Sequence, residues 1–129
     1  MTNLTDQLGD NAPQLPSSEL RSFNDSSTTV NDLRRLMQVF VAERKWEQFH
    51  NAKNLSMSLA IEAGELMEHF QWLTTEQVVA GEGFELTEVA DELADVTCYA
   101  LSLANALGLD LASSIAQKMV KNRIKYPVG

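Results

Sequence analysis

From Thr29 onward, apolar positions recur with the period of an α-helix. "TVND" sets Asp32 three residues after Thr29, a capping box with Asp where Glu or Gln is usual. Leu33, Leu36, Met37, Phe40 and Val41 follow at helical spacing and predict a first helix reaching about Gln48. "HNAKN" breaks the pattern, and a second helix is expected from about Asn54 to Trp72. "LTTEQVVAGEGFE" then holds a short helix, Thr75–Ala80, and a glycine-bearing loop. The third long helix covers Leu86 to Leu107 and stops at Gly108, a residue suited to the left-handed position after a helix. Asp110 caps a last helix, Leu111 to Lys125, which Pro127 terminates. No segment alternates with the period of a strand, so the expected fold is all-α, of four-helix-bundle type.

Residues 1–28 carry no such period. They are rich in Ser, Thr, Asn, Asp and Pro, and read as a flexible arm ahead of a helical domain, 29–129. Leu15, Leu20 and Phe23 are the apolar residues through which the arm would dock on a neighbour.

Composition narrows the function. A length of 129 residues suits one domain, and 44% apolar residues make it globular. The formal charge of −8, from 18 acids against 10 Lys plus Arg, repels a polyanion, so no nucleic-acid polymer is expected as partner. A small anionic substrate would need a cation to neutralise it. The single cysteine, Cys98, excludes an internal disulfide and fits a cytoplasmic protein. No stretch approaches the roughly 20 apolar residues of a membrane span, and "MTNLTDQLGD" lacks the basic and apolar regions of a signal peptide.

The candidate chemistry lies in "IEAGELMEHFQW", where acids interrupt an apolar helical face. With Glu62 at 0°, Leu55, Leu66, Leu59 and Phe70 fall between about 20° and 80°, and Glu65 lies about 60° from Glu62. Glu68 projects about 120° away, clear of the stripe. On the third helix, with Glu92 at 0°, Leu103, Val96, Val89 and Ala100 take the same angles, and Asp95 stands to Glu92 as Glu65 does to Glu62. Like charges on one helical face repel, and near a core they also lose hydration. No Lys or Arg occurs between Asn54 and Leu107 to compensate them. A divalent cation does so, and hard oxygen ligands suit Mg²⁺ or Mn²⁺. For one such pair a solvated helix edge is the simpler reading; two matching pairs favour the metal.

These residues resemble a known family. "ERKWEQFHNAKNLSMSLAIEAGELMEHFQW", "ELADV" and "KMVKNRIKYP" are similar to the all-α nucleoside triphosphate pyrophosphatases of the MazG-like superfamily, nearest to its dCTP pyrophosphatase branch. The resemblance spans about Asn31 to Pro127. It implies Mg²⁺-dependent hydrolysis of a nucleoside triphosphate between its α- and β-phosphates, with Glu62, Glu65, Glu92 and Asp95 as metal ligands and Glu62 or Glu65 as base. It implies a base pocket walled by Trp46 and Trp72. It assigns triphosphate or sugar contacts to Lys118, Asn122 and Tyr126, with Arg123 a further phosphate candidate, and brings His50 and Lys53 to the nucleotide. It also implies dimers paired into homotetramers. One departure is visible: dCTP-type members carry His in the first helix where this chain has Met37, a position that shapes the base pocket. The loop between Trp72 and Glu92 also looks shorter and different.

Read without the resemblance, Trp46 and Trp72 are ordinary packing residues, and the C-terminal set is a basic turn favoured by the helix dipole. A di-iron bundle needs two E-x-x-H motifs. Glu47–His50 is one, but Leu66 stands three residues before His69. No phosphate-binding G-x-x-x-x-G-K-[ST] loop is present. The remaining alternative is a non-catalytic helical oligomer acting as an interaction, metal- or nucleotide-binding module.

Overall fold

The computed structural model describes residues 17–129. Among them every regular element is a helix: α1 Ser17–Leu20, α2 Val30–Glu43, a 3-10 turn Glu47–Phe49, α3 Ala52–Glu68, α4 Thr75–Val79, α5 Leu86–Leu107 and α6 Leu111–Lys125. This is the all-α expectation. The start of the arm, with Leu15, lies outside the described residues. Its remainder forms α1 and a turn closed by Asn24, whose Oδ1 accepts from the amides of Ser26 and Ser27, each at 3.1 Å.

Helix starts follow their caps. Thr29 Oγ1 accepts from the Asp32 amide at 3.0 Å, and Asp32 Oδ2 accepts from the Thr29 amide at 2.9 Å. Asn51 caps α3 through the Asn54 amide, and Asp110 caps α6 through the Ser113 amide at 2.8 Å. Gly108 ends α5 at φ 64, as its sequence position predicts. Three boundaries differ from expectation, the first being the start of α3 at Ala52 rather than about Asn54. The first helix stops at Glu43, not Gln48, because Lys45 turns left-handed at φ 55 and the chain tightens into the 3-10 turn. The second stops at Glu68, so Trp72 lies outside it.

Packing is concentrated on α5, which lies extensively against α3 and also against α2. Leu55 of α3, Val39 of α2, and Leu101 and Ala104 of α5 are the buried apolar side chains of the described residues. Beside them Arg34 Nε donates to Asn105 Oδ1 at 2.8 Å, and Asn105 Nδ2 donates back to the Arg34 carbonyl at 3.0 Å, fastening α2 to α5. The loop after α3 is pinned by Phe70 against Phe84, with ring centroids 5.1 Å apart. Glycine is favoured at Gly83 by its left-handed φ of +83; a Cβ there would also press on the Leu73 side-chain tip, which would have to swing aside.

Helix α6 leaves α5 at 101° and packs extensively on no other helix among the described residues. Ile115, Met119, Val120 and Ile124 are accordingly exposed.

Asn105→Ala removes both bonds of the Arg34 clamp at a half-buried site and should cost about 1–3 kcal/mol. Urea unfolding monitored by circular dichroism would show it; an unchanged midpoint would mean the clamp contributes nothing net.

Candidate metal centre and nucleotide site

Because α3 and α5 pack against each other, their acid pairs meet. Carboxylate oxygens of Glu62, Glu65 and Glu92 lie within 4.8 Å of one another. Glu62 and Glu92 are half-buried, and one oxygen of each, Oε2, is sealed from solvent without a hydrogen-bond partner. Asp95 stands just outside this group of three, yet its charge still acts on Glu62. Desolvation, followed by hydrogen bonding and repulsion from Glu65, then Glu92 and Asp95, raises the Glu62 carboxyl to about 7. Cys98, one helical turn beyond Asp95, has its thiol raised by burial and by the Asp95 charge.

The donor set fits a hard divalent cation. Three carboxylates converge, two of their oxygens lack any donor, and no Lys or Arg on α3 after Lys53 or on α5 neutralises them. The charge problem read from spacing alone is therefore present in three dimensions.

The other anticipated residues are distributed unevenly. Trp46, 44% exposed, packs its ring edge-to-face with Phe40 at 5.9 Å. Arg44 lies over Phe40 at 3.6 Å. Trp72 is 87% exposed, so the described chain leaves its indole uncovered. His50 follows the 3-10 turn, and burial pushes its imidazole below the ordinary value against an opposing pull from Glu47. Lys53 lies in the first turn of α3 and is exposed. Lys118, Asn122 and Arg123 lie on α6, with Tyr126 at its end. At about 1.5 Å per residue, the stretch from Asp95 to Leu107 is roughly 18 Å long. With α6 leaving at 101°, Lys118 stands on the order of 20 Å from Asp95 within one chain. The C-terminal set and the acids do not converge in a single copy.

Glu47 is the residue that the sequence brought forward only as half of an E-x-x-H. Its Oε1 is a third buried oxygen without a partner. An acid directly after Trp46, at a break in the helical pattern, was the available signal.

The MazG-like family model matches residues 57–129, which include both acid pairs and the C-terminal set. The chain belongs to the MazG-like family. Among its relatives, dCTP pyrophosphatase 1 of Bos taurus is 42% identical over 105 residues, covering 80% of this chain and 62% of the relative. The Homo sapiens protein of the same name is 43% identical over 102 residues, 77% of this chain and 59% of the relative. The chain thus spans about three-fifths of the length of these relatives. In three dimensions it resembles a pyrophosphatase from Archaeoglobus fulgidus, with a TM-score of 0.73, 30% identity, and coverage of 83% of this chain and all of that one.

The raised Glu62 carboxyl has a consequence for stability. Between about pH 4.5 and 7 the native state keeps a proton that the unfolded chain has released, so stability falls as pH rises through that window. Metal-free protein should lose melting temperature across it relative to Glu62→Gln, and Mg²⁺ or Mn²⁺ should restore the loss at the alkaline end. Parallel melting profiles for the two proteins would refute the coupling.

Proposed function

We propose that this protein is a Mg²⁺-dependent nucleoside triphosphate pyrophosphohydrolase. It converts a pyrimidine deoxynucleoside triphosphate, dCTP or a modified dCTP, to the monophosphate and pyrophosphate, and so removes unwanted nucleotides from the pool. The observation that carries this reading is the convergence of Glu62, Glu65 and Glu92, with two orphaned oxygens, in a chain of this family. Relatives named for dCTP pyrophosphatase activity support the reaction and favour the cytosine base.

The four acids, Glu62, Glu65, Glu92 and Asp95, would hold the cation. A bound divalent ion supplies charge neutralisation at the phosphates and polarises the α-phosphorus. The chain's own groups do the rest. Glu62 or Glu65 accepts the proton of the attacking water as its oxygen bonds to the α-phosphorus and the bond to the bridging oxygen breaks. Desolvation and the neighbouring acids raise the Glu62 carboxyl to about 7 in the metal-free protein, which suits it to take up that proton. Trp46 and Trp72 offer ring faces for the pyrimidine, with His50 and Lys53 beside the nucleotide. Lys118, Asn122, Tyr126 and Arg123 bind triphosphate and sugar.

The separation of α6 from the acids supports a homo-oligomer, a dimer or tetramer, in which a neighbouring copy brings its C-terminal set to each site. The exposed apolar stripe of α6 is what such a copy would cover. We place the enzyme in the cytoplasm, with residues 1–28 as an arm outside the catalytic domain 29–129; no single helix among the described residues is long and apolar enough to cross a membrane.

A panel of canonical and base-modified dNTPs with Mg²⁺, scored for pyrophosphate, tests the activity. Turnover should be highest on cytosine nucleotides. Absence of turnover on any triphosphate would favour a binding module, and orthophosphate release would place cleavage at the wrong bond. Glu65→Gln should lower kcat at least 10²-fold while leaving the melting temperature equal or higher, since it removes like-charge repulsion.

Sedimentation equilibrium should give two or four times the chain mass of 14.3 kDa, and Ile115→Asp with Val120→Asp should shift it toward the monomer and depress turnover. A fully active monomer would exclude a shared site.

A further inference from the structure

Between Lys53 and Lys118 the chain contains no Lys or Arg, and His69 is the one histidine of that stretch. After Lys53 it is therefore the only basic side chain on α3, α5 and the connection between them. The backbone stays helical through it: His69 ends α3 at φ −64 and ψ −22, and its amide donates to the Leu66 carbonyl at 3.3 Å. Seven residues after Glu62, it falls about 20° from Glu62 around the helix axis, on the same side as Glu65. Along the axis it stands about 6 Å beyond Glu65. His69 thus extends the acid-bearing face of α3 by one turn and changes its chemistry from acceptor to donor.

The imidazole is held but not used. Its ring stands edge-to-face with Phe70, centroids 6.5 Å apart, and Phe70 is itself set against Phe84 at 5.1 Å. The residue is half-buried. The one ion pair among the described residues joins Arg44 to Glu43, so no carboxylate holds the imidazole, and its nitrogens are not among the sealed polar atoms. A basic group one turn from a carboxylate cluster, fixed by aromatic rings and free of any acid, is available to an anionic ligand.

Helix α3 orders the groups along a bound nucleotide. Trp46, His50 and Lys53 stand at its N-terminal end, Glu62 and Glu65 in its C-terminal half, and His69 beyond them. Trp46 and Trp72 lie at opposite ends of this 17-residue helix, about 25 Å long, so the base of a nucleotide bound in one copy meets only one of them. With its base on Trp46 and its α-phosphate at the acids, a nucleoside triphosphate directs its β- and γ-phosphates toward His69.

We propose that His69 contacts the leaving pyrophosphate, donating a hydrogen bond from its imidazole to a β- or γ-phosphate oxygen. The assignment rests on the nucleotide reading above and deepens it. As water attacks, the bond between the α-phosphorus and the bridging oxygen breaks. That oxygen leaves with the bonding electron pair, and negative charge gathers on the pyrophosphate. A fixed N–H donor beside that charge stabilises the transition state more than the bound triphosphate. His69 transfers no proton in this step; the proton of the attacking water goes to Glu62 or Glu65.

The test assays the full-length protein with Mg²⁺ on its most rapidly hydrolysed dNTP, using pyrophosphate and the corresponding monophosphate as product inhibitors. His69→Leu should lower kcat about tenfold with little change in KM, and raise the inhibition constant of pyrophosphate about tenfold. Inhibition by the monophosphate and the melting temperature should stay near their native values. His69→Gln, which keeps an N–H donor, should recover part of both losses. Unchanged inhibition by pyrophosphate in His69→Leu, or equal weakening of inhibition by both products, would overturn the assignment and leave the pyrophosphohydrolase reading intact. Loss of folding in both variants would assign His69 to packing, and a changed mass at equilibrium with native pyrophosphate inhibition would assign it to a contact between copies; either overturns the proposal. A native protein inactive on every triphosphate would overturn both readings.

Discussion

Like-charge repulsion across the α3–α5 contact is the constraint around which this molecule is arranged. The two helices are paired so that the half of α3 holding Glu62 and Glu65 meets the half of α5 holding Glu92. Leu55 of α3 and Leu101 and Ala104 of α5 are buried away from the acids, and the Arg34–Asn105 clamp fastens α2 to α5. Apolar burial along the extensive α3–α5 contact thus holds together acids that would otherwise drive the two helices apart, while the clamp fixes α2 on α5. Such a division is expected of a site whose missing counter-charge arrives from outside, since a structure optimised for itself would place Lys or Arg there. In the metal-free state desolvation and the neighbouring acids raise the Glu62 carboxyl, so that a proton there relieves part of the repulsion.

Most of this frame was legible in the sequence because it is local. Capping residues Thr29 and Asp110, and Gly108 after α5, act through neighbours within a few positions, so those two helix starts and the end of α5 could be read directly, whereas the Asn51 cap was not read and α3 begins at Ala52, two residues before the expected Asn54. The acid pairs were legible for the same reason: their angle to the apolar stripe is a property of one helix at a time. The break at Lys45 was not, because Trp46 and Phe49 continue an apolar pattern past Glu43 and only the left-handed backbone shows that the helix has ended. The orphaned oxygen of Glu47 depends on what surrounds it in three dimensions, which spacing does not encode.

The direction of α6 is the least local feature, and it changes how the candidate site is understood. On the sequence, Lys118, Asn122 and Tyr126 share a face four residues apart and look like one more wall of a pocket. In the fold they stand on a helix turned 101° from α5, far from the acids of their own chain, beside an uncovered apolar stripe. Under the proposed function, a helix that carries binding residues beside an uncovered apolar stripe would link two requirements. Covering the stripe and completing the site would then be the same event, and association would control binding of the nucleotide.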